Sequence, residues 1–133
     1  MKYMLDTNIC IYIMKHEQRI LDTFRGKQSE GVCISSIVLA ELEYGVCYSS
    51  AYEKNKNKLV SFLSLVDVLP FDGAGAAAYG IIHASLRRKG TLIGIPDMFI
   101  AAHAKSKGLI VATNSIREFE RVEGLELENW ALD

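Results

Sequence analysis

The chain has 133 residues, 50% of them hydrophobic and 23% charged, the balance of one folded domain with its own core rather than of a disordered chain. A formal net charge of −1 excludes a strongly basic protein that coats nucleic acid, while leaving room for a local basic patch beside an acidic centre. No run approaches the roughly 18–20 uninterrupted apolar residues of a membrane span, and the single Lys and short apolar stretch before Asp6 do not make a signal peptide.

In chain order, residues 2–6 read as a buried strand that ends in an acid and passes directly into helix-like sequence. A second apolar run at 32–35 leads into a helix over 37–48, with Ser36 as its expected N-cap. The next helix spans 53–65, polar at first (Lys54, Lys56, Lys58), then with Leu59, Phe62, Leu63 and Val66 on one face. Residues 66–69 make a weaker strand, followed by an Ala-rich helix over 73–89 that stops at Gly90. A very apolar helix opens near Asp97 and stops at Gly108; a strand at 109–113 and an edge strand at 127–130 complete the pattern. Buried strands alternating with helices predict an α/β fold with a central parallel sheet, in a single domain over 1–133. Cys10, Cys33 and Cys47 show no CxxC or Cys/His spacing and read as reduced core thiols of a cytoplasmic protein.

The chemistry is expected in the carboxylates. Asp6 closes the first strand, and in open α/β sheets ligands bind at that carboxyl edge. Helix capping accounts for Asp6 equally well, and Thr7 and Asn8 are good caps too. Glu41 stands on the helix that starts at the same edge, whereas Glu43 faces elsewhere because neighbours on one face lie three or four apart. Asp97 follows Gly94-Ile95-Pro96 and opens an apolar helix, which predicts a partly desolvated carboxylate. Thr113-Asn114-Ser115 forms a fourth polar cluster with no acid, and Arg117–Arg121 reads equally as an ion-paired surface helix. Clustered carboxylates repel unless a cation neutralises them, and oxygen-only ligands select Mg²⁺ or Mn²⁺. Such ions generate a nucleophilic hydroxide from water and stabilise a leaving oxygen, so a phosphodiester is the natural substrate.

Four motifs in order, Met4-Leu5-Asp6-Thr7-Asn8, Ile34-Ser35-Ser36 with Ala40-Glu41-Leu42, Ile93–Asp97 with Ile100–Ala104, and Val111–Asn114 with Arg117-Glu118-Phe119, resemble the PIN-domain family, and more narrowly its VapC-type toxins. The resemblance implies a parallel sheet flanked by helices and a Mg²⁺- or Mn²⁺-dependent endoribonuclease with Asp6, Glu41 and Asp97 as metal-holding catalytic acids. It further implies tRNA or another structured RNA as substrate, cleavage to a 5′-phosphate and a 3′-hydroxyl, a homodimer, and silencing by a cognate antitoxin. Thr7, Asn8, Thr113, Asn114 and Ser115 take supporting roles. Ser115 stands where many relatives carry a fourth acid, which favours one firmly held metal over two, and His83 and Arg87 replace an Arg and a Glu common in relatives.

Arg87-Arg88-Lys89, with Lys105 and Lys107, reads as a phosphate-binding rim or as a solvated helix end. His103, six residues after Asp97, falls on the opposite helix face and is expected in the core, as is Trp130; His83 is expected at the surface. The alternatives are a catalytically weak RNA- or protein-binding module, suggested by the neutral Ser115, and a phosphotransfer domain. The latter needs an acidic pair and a strand-end Lys that this sequence does not show.

Overall fold

Tyr3, Met4 and Leu5 are buried on both faces, and they form the central strand β1 (Tyr3–Leu5) of a five-stranded sheet. The computed structural model describes residues 1–131, so the last two residues of the expected domain lie outside the described residues. From β1 the chain runs through α1 (Thr7–Met14), α2 (Gln18–Lys27), β2 (Val32–Ser35), α3 (Ser36–Tyr48), α4 (Tyr52–Leu63) and β3 (Asp67–Leu69). It continues through α5 (Gly73–Arg88), α6 (Ile95–Lys107), β4 (Ile110–Thr113), α7 (Ile116–Phe119) and β5 (Leu127–Asn129).

Every strand pair is parallel, in the order β3-β2-β1-β4-β5. The chain therefore steps outward from β1 through β2 to β3, then returns to the other side of β1 for β4 and β5. That reversal makes the carboxyl ends of β1 and β4 the switch point, where the connections diverge and leave a crevice. The central strands β1, β2 and β4 are nearly all buried, which is why their apolar runs are plain in the sequence; edge strand β3 is half exposed and reads weakly.

Local chemistry sets the element ends. Lys15 closes α1, and His16 in the left-handed region at φ 60° turns the chain into α2. Glu17 starts α2 by accepting from the Ile20 N–H. α3 is capped by Ser35 rather than by the expected Ser36: the Ser35 hydroxyl accepts from the Ile37 N–H at 3.1 Å. Ser36 is instead the first helical residue, and its hydroxyl accepts from the Phe71 N–H, tying α3 to the segment after β3. Gly108, at φ 68°, ends α6 in the left-handed conformation that glycine adopts without strain.

His103 is fully buried, with its Nδ1 2.8 Å from the Ser35 hydroxyl, and burial lowers its pKa so that the ring stays neutral. Trp130 is also buried and meets Tyr3 edge to face. Cys10 and Cys33 are core thiols as expected, but Cys47 is exposed on α3; all three are free. Among the described residues no helix is long and apolar enough to cross a membrane.

Ser35 thus caps a helix and partners a buried imidazole at once. Ser35→Ala should lower the unfolding free energy by about 2 kcal/mol, the sum of a lost cap and an orphaned buried ring nitrogen, measured as a shift in urea midpoint with unchanged slope.

Candidate active site

Asp6 lies at the switch point, one residue past β1, and is only 3% exposed. Its backbone N–H still donates to the Ala112 carbonyl, so it moves with the sheet. Oδ1 accepts from the Ile9 N–H at 2.9 Å, capping α1, and Oδ2 accepts from the Thr113 hydroxyl at the end of β4. Capping and site placement are therefore the same fact about Asp6, not rivals. Burial raises its pKa; the bonds from Thr113 and from the backbone of Ile9 oppose this, and the nearby charge of Glu41 adds to it.

Thr7, the first residue of α1, donates its hydroxyl to Glu41 Oε1 at 2.6 Å and so fixes the carboxylate that α3 brings to the crevice. Glu43 points elsewhere and pairs with Lys56 at 2.7 Å. Asp97, in the first turn of α6, accepts no hydrogen bond among the described residues. Its carboxyl is pushed up to about 6, first by burial and then by the negative charges of Asp6, Glu41 and Glu118. The charges of Asp6 and Glu41 thus reach Asp97, and that of Glu41 reaches Asp6.

The supporting residues contribute unequally. The Thr113 hydroxyl donates to Asp6 and accepts from the Ser115 N–H at 2.8 Å, so Ser115 acts through its backbone. Asn8 is exposed, and its backbone amide is the part that reaches Asp6. Asn114 is half buried, with its Nδ2 3.5 Å from the Tyr12 hydroxyl and its Oδ1 buried without a partner. A Cβ at Gly45, one turn after Glu41, would meet nothing within 4 Å, so no close approach there requires a glycine.

Glu118 is the acid that the sequence left open between the site and an ion-paired surface helix. It sits half buried on α7, and its charge reaches Asp97. Its signal in the sequence was its place in the Arg117-Glu118-Phe119 motif just after Thr113-Asn114, a segment that a surface helix explained as well. Arg87 and Arg88 stand exposed at the end of α5, without ion pairs among the described residues, while Lys89 is 3.8 Å from Glu123 and Lys107 pairs with Asp72.

A divalent cation fits this donor set. The candidate ligating atoms are all carboxylate oxygens, which suits Mg²⁺ or Mn²⁺ and not zinc, and Asp97 is held above its ordinary range by burial and, after it, by negative charges that a cation would cancel. Among the described residues no three acids close into a ready cage. Catalytic Mg²⁺ commonly takes one or two carboxylates and fills its shell with water and substrate oxygens, so an open arrangement is suitable.

Fold and site together define an α/β domain with an acidic, cation-seeking centre at its topological switch point. The PIN domain family model matches residues 3–125. The chain is 46% identical to the tRNA(fMet)-specific endonuclease VapC of Shigella flexneri, over 98% of this chain and 99% of that protein. It is 47% identical to ribonuclease VapC2 of Haemophilus influenzae, over 98% of each. Among solved structures, VapBC2 of Rickettsia felis bound to a promoter DNA fragment superposes with a TM-score of 0.94 at 42% identity, covering 98% of this chain and 99% of that one. DNA-bound VapBC of Salmonella typhimurium gives 0.93 at 45%, with the same coverage. The chain belongs to the PIN-domain family, in its VapC branch.

Asp97 yields a test of the electrostatics without any substrate. A carboxyl that titrates near 6 when folded and near 3.8 when unfolded binds more protons in the folded state between those values. Its contribution to stability is fully present below the unfolded value and lost as pH rises through about 6. In metal-free buffer at pH 7.5, Asp97→Asn should therefore raise the melting temperature by about 2–4 °C. The gain should shrink steadily towards pH 5.

Proposed function

We propose that this protein is a Mg²⁺-dependent endoribonuclease toxin, able to use Mn²⁺, which cleaves tRNA or another structured RNA and is inhibited by a cognate antitoxin. The observation that carries the reading is the buried Asp6 at the carboxyl edge of the sheet, held by Thr113 and the α1 backbone, with Glu41 fixed beside it by Thr7 and with Asp97 raised by their charges as well as by burial. The names of its full-length relatives, endonuclease and ribonuclease VapC, point to the same activity. VapBC complexes among its structural neighbours support an antitoxin partner. The free thiols support a reducing, cytoplasmic setting. For the homodimer that the resemblance implies, the exposed, stacked Tyr44 and Tyr48 on α3 offer one apolar contact.

A bound divalent cation would neutralise the acids, hold phosphate oxygens and acidify water for in-line attack. The chain's own part is orientation. Asp6 is locked by two donors, yet each of its oxygens keeps a lone pair for a cation. Thr7 engages one oxygen of Glu41, leaving the other without a hydrogen-bond partner among the described residues. Asp97, with both oxygens unbonded, is the acid most free to take up a metal or a proton from the reacting water. Glu118 adds negative charge beside Asp97, which favours cation binding there. It also weakens the ground for a catalytically weak binding module, since it brings a further negative charge to Asp97 although residue 115 is Ser. Arg87, Arg88 and Lys89 remain in this reading as phosphate contacts at the end of α5.

Expression of the wild-type chain in a bacterial host should arrest growth, and the purified protein should cleave tRNA only when Mg²⁺ is present. Asp6→Asn and Asp97→Asn should each abolish both effects, with cleavage down ~10²-fold or more; an Asp6→Asn protein as fast as wild type would sink the mechanism. Glu118→Gln should be milder, about 10–100-fold, and should raise the Mg²⁺ concentration needed for half-maximal rate.

A further inference from the structure

Two clefts on the side of the molecule formed by α1, α2, α3 and α4 share Met14 and Lys58 among their walls and so make one trough. The shorter part, about 250 Å³, ends at Glu41; the longer, about 510 Å³, runs on between α2 and α4. Three cations line it: Lys15 and Lys58 beside the catalytic end, Arg25 further out. None of the three has an ion pair among the described residues, whereas their neighbours Lys27 and Lys56 are taken by Glu128 and Glu43. Glu41 is the one acid in the lining among the described residues. The floor is apolar, built from Ile13, Leu21 and Phe62.

On a chain of net charge −1 this segregation is informative. Three unpaired cations along a groove that ends at an acidic centre match the chemistry of a nucleic-acid strand, its phosphates held along the rim. A cation at the acidic end would then meet the phosphate that the rim delivers. We infer that the trough carries the RNA strand to the catalytic centre, with Lys15, Lys58 and Arg25 as its phosphate contacts. This rests on the ribonuclease reading and adds the path of the substrate. It extends the basic surface beyond Arg87 to Lys89, which lie on another element.

The three residues are exposed, so their replacement leaves the core intact. In an Asp97→Asn background, which prevents cleavage, binding of a fluorescently labelled tRNA transcript is measured by anisotropy from low to moderate salt. Adding Lys15→Ala, Arg25→Ala and Lys58→Ala together should weaken binding about ten- to a hundredfold. The slope of log affinity against log salt should become shallower by about 2, at ~0.7 per lost cation. With Asp97 restored, the triple variant should show a raised KM and an unchanged kcat. Lys15→Arg, Arg25→Lys and Lys58→Arg, which keep the charge, should restore both readouts. Lys2→Ala, which removes a paired lysine outside the trough, should move neither.

An unchanged affinity and salt slope in the triple variant would overturn the inference. So would unchanged RNA binding with loss of rescue by a co-expressed antitoxin, because the trough would then be a protein-docking groove. If the unsubstituted chain failed to cleave RNA in Mg²⁺ while the salt slope still fell in the triple variant, the ribonuclease reading would fail and the RNA path would stand.

Discussion

A carboxylate at 3% exposure must be hydrogen-bonded, protonated or offset by a cation, and in Asp6 the fold arranges for the first and leaves the third open. The α1 backbone supplies one donor and the β4 hydroxyl of Thr113 the other, so a single side chain staples the first helix and two adjacent strands. Because β1 lies in the middle of the sheet, this staple falls where the chain reverses its direction of winding. Glu41 and Asp97 arrive at the same point because α3 and α6 begin near that edge. Thr7 then links the first segment to α3 through its hydroxyl. The position of the site is thus a consequence of topology, and its orientation a consequence of two threonines.

The same arrangement destabilises the metal-free molecule. Asp97 is half buried, accepts no hydrogen bond among the described residues, and faces the negative charges of Asp6, Glu41 and Glu118. Its place in the first turn of α6 gives some relief through the helix dipole, worth no more than about 1 kcal/mol in such settings. The remainder is strain held against the moment a divalent cation or a proton enters. Local conflict of this kind, in an otherwise consistent fold, is what a functional site looks like from the side of stability.

Much of this was legible in the sequence, for identifiable reasons. Strands β1, β2 and β4 are buried on both faces and so appear as unbroken apolar runs. α5 and α6 carry glycine stops in Gly90 and Gly108 that set their ends to within a residue or two. Residue patterning does not delimit α2, because Gln18-Arg19-Ile20-Leu21 begins polar and is capped by a Glu, a less favoured cap than Ser or Asp. The Ser35/Ser36 choice was not decidable from residue type, since both can cap; the strand's length, fixed by pairing with β3 up to Ser35, decides it. Cys47 looked like a core thiol from its apolar neighbours but falls on the outer face of α3.

The fourth acid shows most clearly where residue-by-residue reading stops. At position 115 the sequence offers Ser, and a neutral residue there suggested a three-acid centre. In the fold, position 115 serves through its backbone. Its N–H bonds the Thr113 hydroxyl, which in turn bonds Asp6, so the side chain at 115 is free to vary without loosening the strand end. Negative charge enters from one turn later, through Glu118 on α7, close enough to raise the Asp97 carboxyl. Charge in a cation site is a property of the volume and not of a register position. A carboxylate three residues on, carried by a short helix packed against α6, adds negative charge at Asp97 that position 115 does not supply.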